Sequence, residues 1–311
     1  MRTTMARWLV ALALAGVLWP GSASARKGPL KVVATVPSLA SIAQGVGGDG
    51  VRVESIALAT QDPHFVDARP HLALSLSRAD LLLAVGLELE VGWLPVLQTG
   101  SRNPRIQTGA EGYMDCSSFV ELREVPSTRV DRSMGDVHPG GNPHYLVDPA
   151  AGAAIARAVG ERLAELDPEG ADGYRLRAAE FADRAEQLRR TIVAEAEVVR
   201  GAPVVVYHES WVYLVDLLGL DQVAAVEPKP GIPPTPAHVA RLIETMQARE
   251  ARVLIQETFY PVRTTQLVAQ KAGGEVLVVR FGPDLEAGET YLSHIEDTAR
   301  VVVAALGEGT S

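Results

Sequence analysis

Three histidines and an aspartate stand where a metal ion could be held, each just after an apolar run or in a loop that opens a helix. His64 sits in Gln61-Asp62-Pro63-His64, after VRVESIAL (51–58). His208 begins His208-Glu209-Ser210, after PVVVY (203–207). Asp284 closes Gly282-Pro283-Asp284, after EVLVVRF (275–281), and His144 ends Asn142-Pro143-His144, ahead of a helix near Pro149. Imidazole nitrogens and a carboxylate oxygen are a donor set for a divalent transition ion. Each residue alone also has a plainer account. A loop histidine can simply satisfy its own hydrogen bonds, and Asp284 can cap a turn. Glu257, after RVLIQ (252–256), can be a capping or ion-paired acid. His138 lies in a Gly-rich loop near His144, where it could make an auxiliary metal contact. His71, His238 and His294 read as surface residues on helices.

The elements that must position these groups alternate strand with helix. LKVVATV (30–36), VRVESIAL (51–58) and ADLLLAVG (79–86) read as strands in the first half. PVVVY (203–207), QVAAVEP (222–228), RVLIQ (252–256) and EVLVVRF (275–281) follow in the second, with helices between them. The alternation predicts an α/β protein with two parallel-sheet lobes, whose ligands bind outside the carboxyl ends of the strands. Residues 174–200 hold no Gly or Pro, and Tyr174, Ala178, Phe181, Ala185, Leu188 and Ile192 recur at intervals of three and four. That stripe predicts one long amphipathic helix tying the lobes together and restricting hinge motion. Residues 116–141 read as a loop. The divisions expected are 1–25, 26–167 for the first lobe, 168–200 for the linking helix and 201–311 for the second lobe.

The formal net charge of -9 argues against nucleic acid or an anionic membrane surface as partner. Arg2 and Arg7, the apolar stretch 8–19 and Ala23-Ser24-Ala25 predict a secretory signal cleaved near Ala25, hence export to the periplasm. That apolar stretch is shorter than the ~20 residues that span a bilayer. Cys116, the one cysteine, can form no internal disulfide and reads as a buried thiol.

Several motifs in one order carry a resemblance. DPHFVDARP (62–70), Arg78-Ala79-Asp80 running into LLLAVGLELE, GNPHYLVDP (141–149), VVYHESWVYL (205–214), EPKPGIPPT (227–235) and GPDLEAGETYL (282–292) span the chain beyond its N-terminus. Together they resemble the zinc/manganese group of ABC-transporter solute-binding proteins. The resemblance implies a metal site in the cleft between the lobes, with His64, His144, His208 and Asp284 as ligands and Glu257 close behind them. It also implies a permease in the inner membrane as partner, and a monomer. Three imidazoles favour Zn²⁺, whereas Mn²⁺, the alternative, prefers more oxygen donors. Residues 116–141 hold only His138 in place of the His-rich loop of many zinc-binding relatives, which implies one tight site. Four protein ligands leave no position for a reacting water, so binding rather than catalysis is expected. A zinc hydrolase, a surface adhesin and a metal buffer without a permease are the competing readings.

Overall fold

The computed structural model describes residues 28–127, 138–229 and 231–308. The expected signal segment and part of the 116–141 loop lie outside these residues. The first lobe holds strands β1 (Leu30–Ala34), β2 (Val51–Ser55), β3 (Leu81–Ala84) and β4 (Tyr113–Asp115). Its helices are α1 (Pro37–Gly47), α2 (Pro70–Ser77), α3 (Leu94–Ser101) and α4 (Pro149–Leu166). After α5 (Ala171–Glu195), the second lobe alternates β5 (Pro203–Val206), α6 (Val212–Leu218), β6 (Asp221–Ala225) and α7 (Pro236–Ala248). It continues through β7 (Val253–Glu257), α8 (Val262–Ala272), β8 (Glu275–Val279) and α9 (Tyr291–Glu308).

Both sheets are parallel and follow the same plan, β2-β1-β3-β4 and β6-β5-β7-β8. In each, the strand that starts the lobe lies inside, between its second and third strands. Val32 pairs with Val53 on one side and Leu81 on the other; Val204 pairs with Gln222 and Val253. Strands covered on both faces read as unbroken apolar runs, and LLLA of β3 is buried throughout.

The linking helix is α5, 25 residues long, with 3₁₀ turns at Pro168–Gly170 and Ala196–Val199. Its inner stripe is the expected one: Tyr174, Ala178, Phe181, Ala185 and Ile192 are buried. Gly160 of α4 lets α5 come close, since a Cβ there would lie 2.6 Å from Ala178 Cβ. Phe181 stacks on Tyr291 of α9 at 6.2 Å, and Arg189 pairs with the α4 cap Asp148 at 3.0 Å. One apolar core thus runs through both lobes and includes Val32, Leu83, Ile155, Phe181, Trp211, Ile255 and Val302. Smaller clusters around Trp93 and around Met246 fill the outer layers.

A strained turn after β3 supports the site. Gly86, Leu87 and Glu88 all have positive φ, at 84°, 55° and 65°. The non-glycine members cost about 1–2 kcal/mol each in that region. A side chain at Gly86 would run into the Asp115 carboxylate. The buried carboxylate of Glu90 holds the turn, accepting the N–H groups of Val85 at 2.7 Å and Gly86 at 3.1 Å. Burial raises the Glu90 pKa despite the hydrogen bonds it receives.

The structure corrects the reading of two histidines. His294 is buried on the inner face of α9, with Nδ1 3.2 Å from Glu289. His238 is half-buried, its Nε2 3.1 Å from the Ala225 carbonyl. His71 is exposed and Cys116 buried, as read.

Candidate metal centre

His64 and His144 are set by the same three-residue device. In Asp62-Pro63-His64, Asp62 Oδ1 accepts both the backbone N–H of His64, at 2.9 Å, and its ring Nδ1–H, at 2.8 Å. In Asn142-Pro143-His144, Asn142 Oδ1 does the same at 2.9 Å and 2.9 Å. The intervening proline fixes φ and keeps the preceding residue extended, so the short side chain folds back onto the residue two positions on. Each unit is then pinned from outside. Trp93 Nε1 donates to the Pro63 carbonyl at 2.9 Å, and Tyr213 Oη donates to the Asn142 carbonyl at 2.8 Å. Tyr213 belongs to α6, so the second lobe helps to position a histidine of the first.

His208 follows β5 directly, and its Nδ1 donates to Glu227 Oε2 at 2.9 Å. Glu227 comes from the loop after β6 and also accepts the Gly231 N–H at 2.9 Å. With all three Nδ1 atoms engaged, each ring is the tautomer whose Nε2 lone pair is free. One ligand atom from each of His64, His144 and His208 falls within 4.8 Å of the others. Nε2 of His64 and of His144 is buried with no hydrogen-bond partner. Buried polar atoms are normally satisfied, so convergent orphaned nitrogens mark a place for a cation. Tetrahedral zinc at ~2.0–2.1 Å from each nitrogen needs them roughly 3.3 Å apart, a small inward shift of each ring.

Glu257 ends β7 beside the cluster, fully buried, and accepts a hydrogen bond from Ser210 Oγ. Phe281 packs edge-on against His144 at 5.5 Å and against Trp211 at 5.7 Å. Asp284 is not brought into the cluster. Its Oδ1 accepts the N–H groups of Glu286 and Ala287, both at 3.2 Å, the turn-capping role that its position also allowed. His138 comes close. Its ring stacks on His64 at 5.5 Å, and its Nε2 is buried without a partner. The Nδ1 acceptors Asp62, Asn142 and Glu227 were not singled out in the sequence. The repeated Asx-Pro-His pattern marks the first two. Nothing local marks Glu227, nineteen residues from its histidine.

These acceptors should matter nearly as much as the ligands. Glu227→Ala is expected to weaken zinc binding by ~10–100-fold in a competition titration. Glu227→Gln should lose less, because an amide oxygen can still accept, as Asn142 does for His144. Equal losses would show that charge rather than ring orientation is what Glu227 supplies.

Burial holds the His144 pKa well below the usual histidine range, with help from His64, His208 and His138. Burial and the neighbouring His64 lower His138 to about 4. Asp62 is raised by burial, but its bonds to His64 outweigh this and leave it below the usual value. Glu257 is pushed up by burial to about 8 and is therefore largely protonated at neutral pH. Its folded-state pKa exceeds the unfolded value of 4.5, so it stabilises the fold fully below pH 4.5, and the effect is lost as pH rises towards 8. The lowered histidines act in the other direction, with stability lost as pH falls below about 6.5. The metal-free protein should therefore be most stable in mildly acidic solution. Glu257→Gln should flatten the alkaline side, where each pH unit otherwise removes up to ~1.4 kcal/mol. Urea unfolding from pH 5 to 9 checks this, and parallel curves for the two proteins would refute it.

Two parallel-sheet lobes on a shared core, with ring nitrogens of His64, His144 and His208 gathered in the loops between them, define a metal-binding protein of the two-lobed solute-binding class. The family profile described as ZnuA, zinc-uptake complex component A periplasmic, matches residues 32–305, and the chain belongs to that family. The high-affinity zinc uptake system protein ZnuA of Paracoccus denitrificans is 28% identical over 247 residues, covering 69% of this chain and 72% of that one. The manganese ABC transporter substrate-binding lipoprotein PsaA of Streptococcus pneumoniae is 24% identical, covering 92% and 93%. Among solved structures, a crystal structure of ZnuA superposes with a TM-score of 0.76 at 22% identity, covering 89% of this chain and 99% of that one. FpvC of Pseudomonas aeruginosa, in complex with Mn²⁺, gives 0.75 at 21% identity, covering 90% and 99%.

Proposed function

We propose that this chain is the exported zinc receptor of an ABC importer, holding one Zn²⁺ on His64, His144 and His208 and passing it to a permease in the inner membrane. The observation that carries this reading is the trio of imidazoles, each anchored at Nδ1, with one nitrogen from each ring within 4.8 Å of the others. Nitrogen-rich coordination favours zinc over manganese. The relatives include transporters named for either ion, so the donor set rather than kinship supports zinc.

Asp284 completes the shell around a bare ion, giving up its two hydrogen bonds to Glu286 and Ala287. His138, already stacked on His64, is an auxiliary contact during entry. Glu257 stays behind the ligands. The bound state orders the loops that carry Asp284 and His138 more than it rotates the lobes, because the lobes share a core and α5. A shell of four protein donors leaves no activated water, so the protein binds and releases without turnover. It acts as a monomer, after removal of its N-terminal segment near Ala25.

The test is metal analysis of protein purified without added metal, followed by competition titration with Zn²⁺ and Mn²⁺. One equivalent of zinc with clear preference over manganese is the expected result. Manganese preference would overturn the choice of ion, and binding unaffected by loss of all three histidines would overturn the site.

A further inference from the structure

His144 and His208 are buried, and the His64 side chain is only 10% exposed. Beside this cluster lies an open cavity of about 380 Å³, with His64, His208 and Tyr260 on the wall that it shares with the cluster. A single hydrated ion needs room for only a few waters, at ~30 Å³ each. The cavity is at the lower end of small-molecule pockets, roughly 300–1,000 Å³.

Its lining is chemically selective. Phe65, Tyr207 and Tyr260 supply aromatic surface, and Tyr207 and Tyr260 are stacked at 4.0 Å and 18°. Pro233, Pro234 and Pro261 add rigid apolar walls. The carboxylates of Asp62 and Glu227 and the Thr264 side chain are its polar surface. No Lys or Arg lines it among the described residues. Such a lining disfavours a polycarboxylate and suits a small planar nitrogen donor that carries an ammonium group. Asp284 does not line the cavity, and its carboxylate is occupied by its own turn.

We propose that this cavity admits a small imidazole-bearing, zwitterionic ligand of the amino-acid class onto the bound ion, its imidazole nitrogen alone taking the coordination position that Asp284 fills around a bare ion while its amine stays protonated. The inference rests on the three-histidine metal site proposed above. The ligand's ring packs along the aromatic wall and its ammonium, which does not bind the metal, faces the two carboxylates. Nothing is transferred or oxidised. One donor replaces another on the metal, and Asp284 keeps its turn.

The experiment uses the full mature chain loaded with Co²⁺, whose visible spectrum reports its donors, with L-histidine and citrate as probes. L-histidine is expected to shift the cobalt bands and to give a 1:1:1 complex by native mass spectrometry, while citrate does neither. Asp284→Asn should weaken Co²⁺ alone by about tenfold or more, as loss of a ligand should at least match the loss of an outer partner. L-histidine should restore most of that loss. Thr264→Trp, which fills the cavity from the first turn of α8, should abolish the ternary complex and retain 1:1 ion binding. The proposal is overturned if L-histidine merely strips the metal, leaves the spectrum unchanged, or acts no differently from citrate. The wild-type titration decides this whether or not the Trp variant folds. Failure of the wild type to bind Co²⁺ at 1:1 without added L-histidine would instead sink the metal site itself.

Discussion

Zinc should raise the melting temperature of the wild-type protein by many degrees and should leave that of His144→Ala nearly unchanged. A ligand that binds only the folded state stabilises it by RT ln(1 + [L]/Kd), about 2.7 kcal/mol at a hundredfold excess over Kd and about 4.1 at a thousandfold. A variant with two imidazoles in place of three should bind zinc at least ~100-fold more weakly, so the same zinc concentration then stabilises little. His144 is the most informative of the three, because it is the most deeply buried and is already kept neutral by its surroundings. Removing it leaves a small polar void and no stranded charge, so the metal-free variant should still fold. His64→Ala and His208→Ala should behave alike. His71→Ala, on the surface, is the control that should match wild type. His294 cannot serve as one, since it is buried against Glu289 and its loss affects the fold directly. A full zinc-induced shift in His144→Ala would place the ion elsewhere.

The second large effect is expected at a residue that touches no metal. Glu90→Gln should destabilise the protein by ~3 kcal/mol and also weaken zinc binding. The Glu90 carboxylate is 4% exposed and offers one oxygen to Val85 N–H and the other to Gly86 N–H. A glutamine presents an NH₂ group to one of these donors, and a buried donor left without its acceptor costs about 1–3 kcal/mol. The turn that it holds contains two non-glycine residues at positive φ, and that strain persists only while the surroundings enforce it. The Tyr145 hydroxyl donates to the Val85 carbonyl at 2.6 Å, so a relaxed turn shifts the residue next to His144. Denaturant unfolding and zinc titration of one sample would separate the two effects. Unchanged zinc affinity beside lowered stability would show that the turn supports only the fold.

The fold was legible wherever an element was long or fully apolar. Helix α4 begins at Pro149, where that proline and the Asp148 cap place it, because a proline and a cap punctuate the chain there. The strands proved shorter than their apolar runs; the 79–86 run pairs only over Leu81–Ala84, since buried loop residues are apolar too. Strand β4, three residues long, and α3 carry too few residues to show a period and escaped notice. His294 was misplaced although Tyr291, Ile295, Ala299, Val302 and Leu306 lie buried along one stripe of α9, with His294 next to it. At the site, residue type and a strand end pointed to His64 and His208, and the loop ahead of a helix together with the family resemblance pointed to His144; the structure draws these three side chains together. What holds their rings was hidden, because hydrogen bonding to Nδ1 depends on tertiary approach. Asp284 is the instructive case, since its sequence context fits both a ligand and a turn cap, and in the structure its Oδ1 caps the turn.

Because one core threads both halves, a wide clamshell swing would tear apart packed side chains that no small cargo could compensate. Filled and empty receptors should then share nearly one outline. A membrane partner that takes only the filled form would then have to read slight local changes at the rim, where Phe65 beside His64 and Leu285 beside Asp284 are exposed.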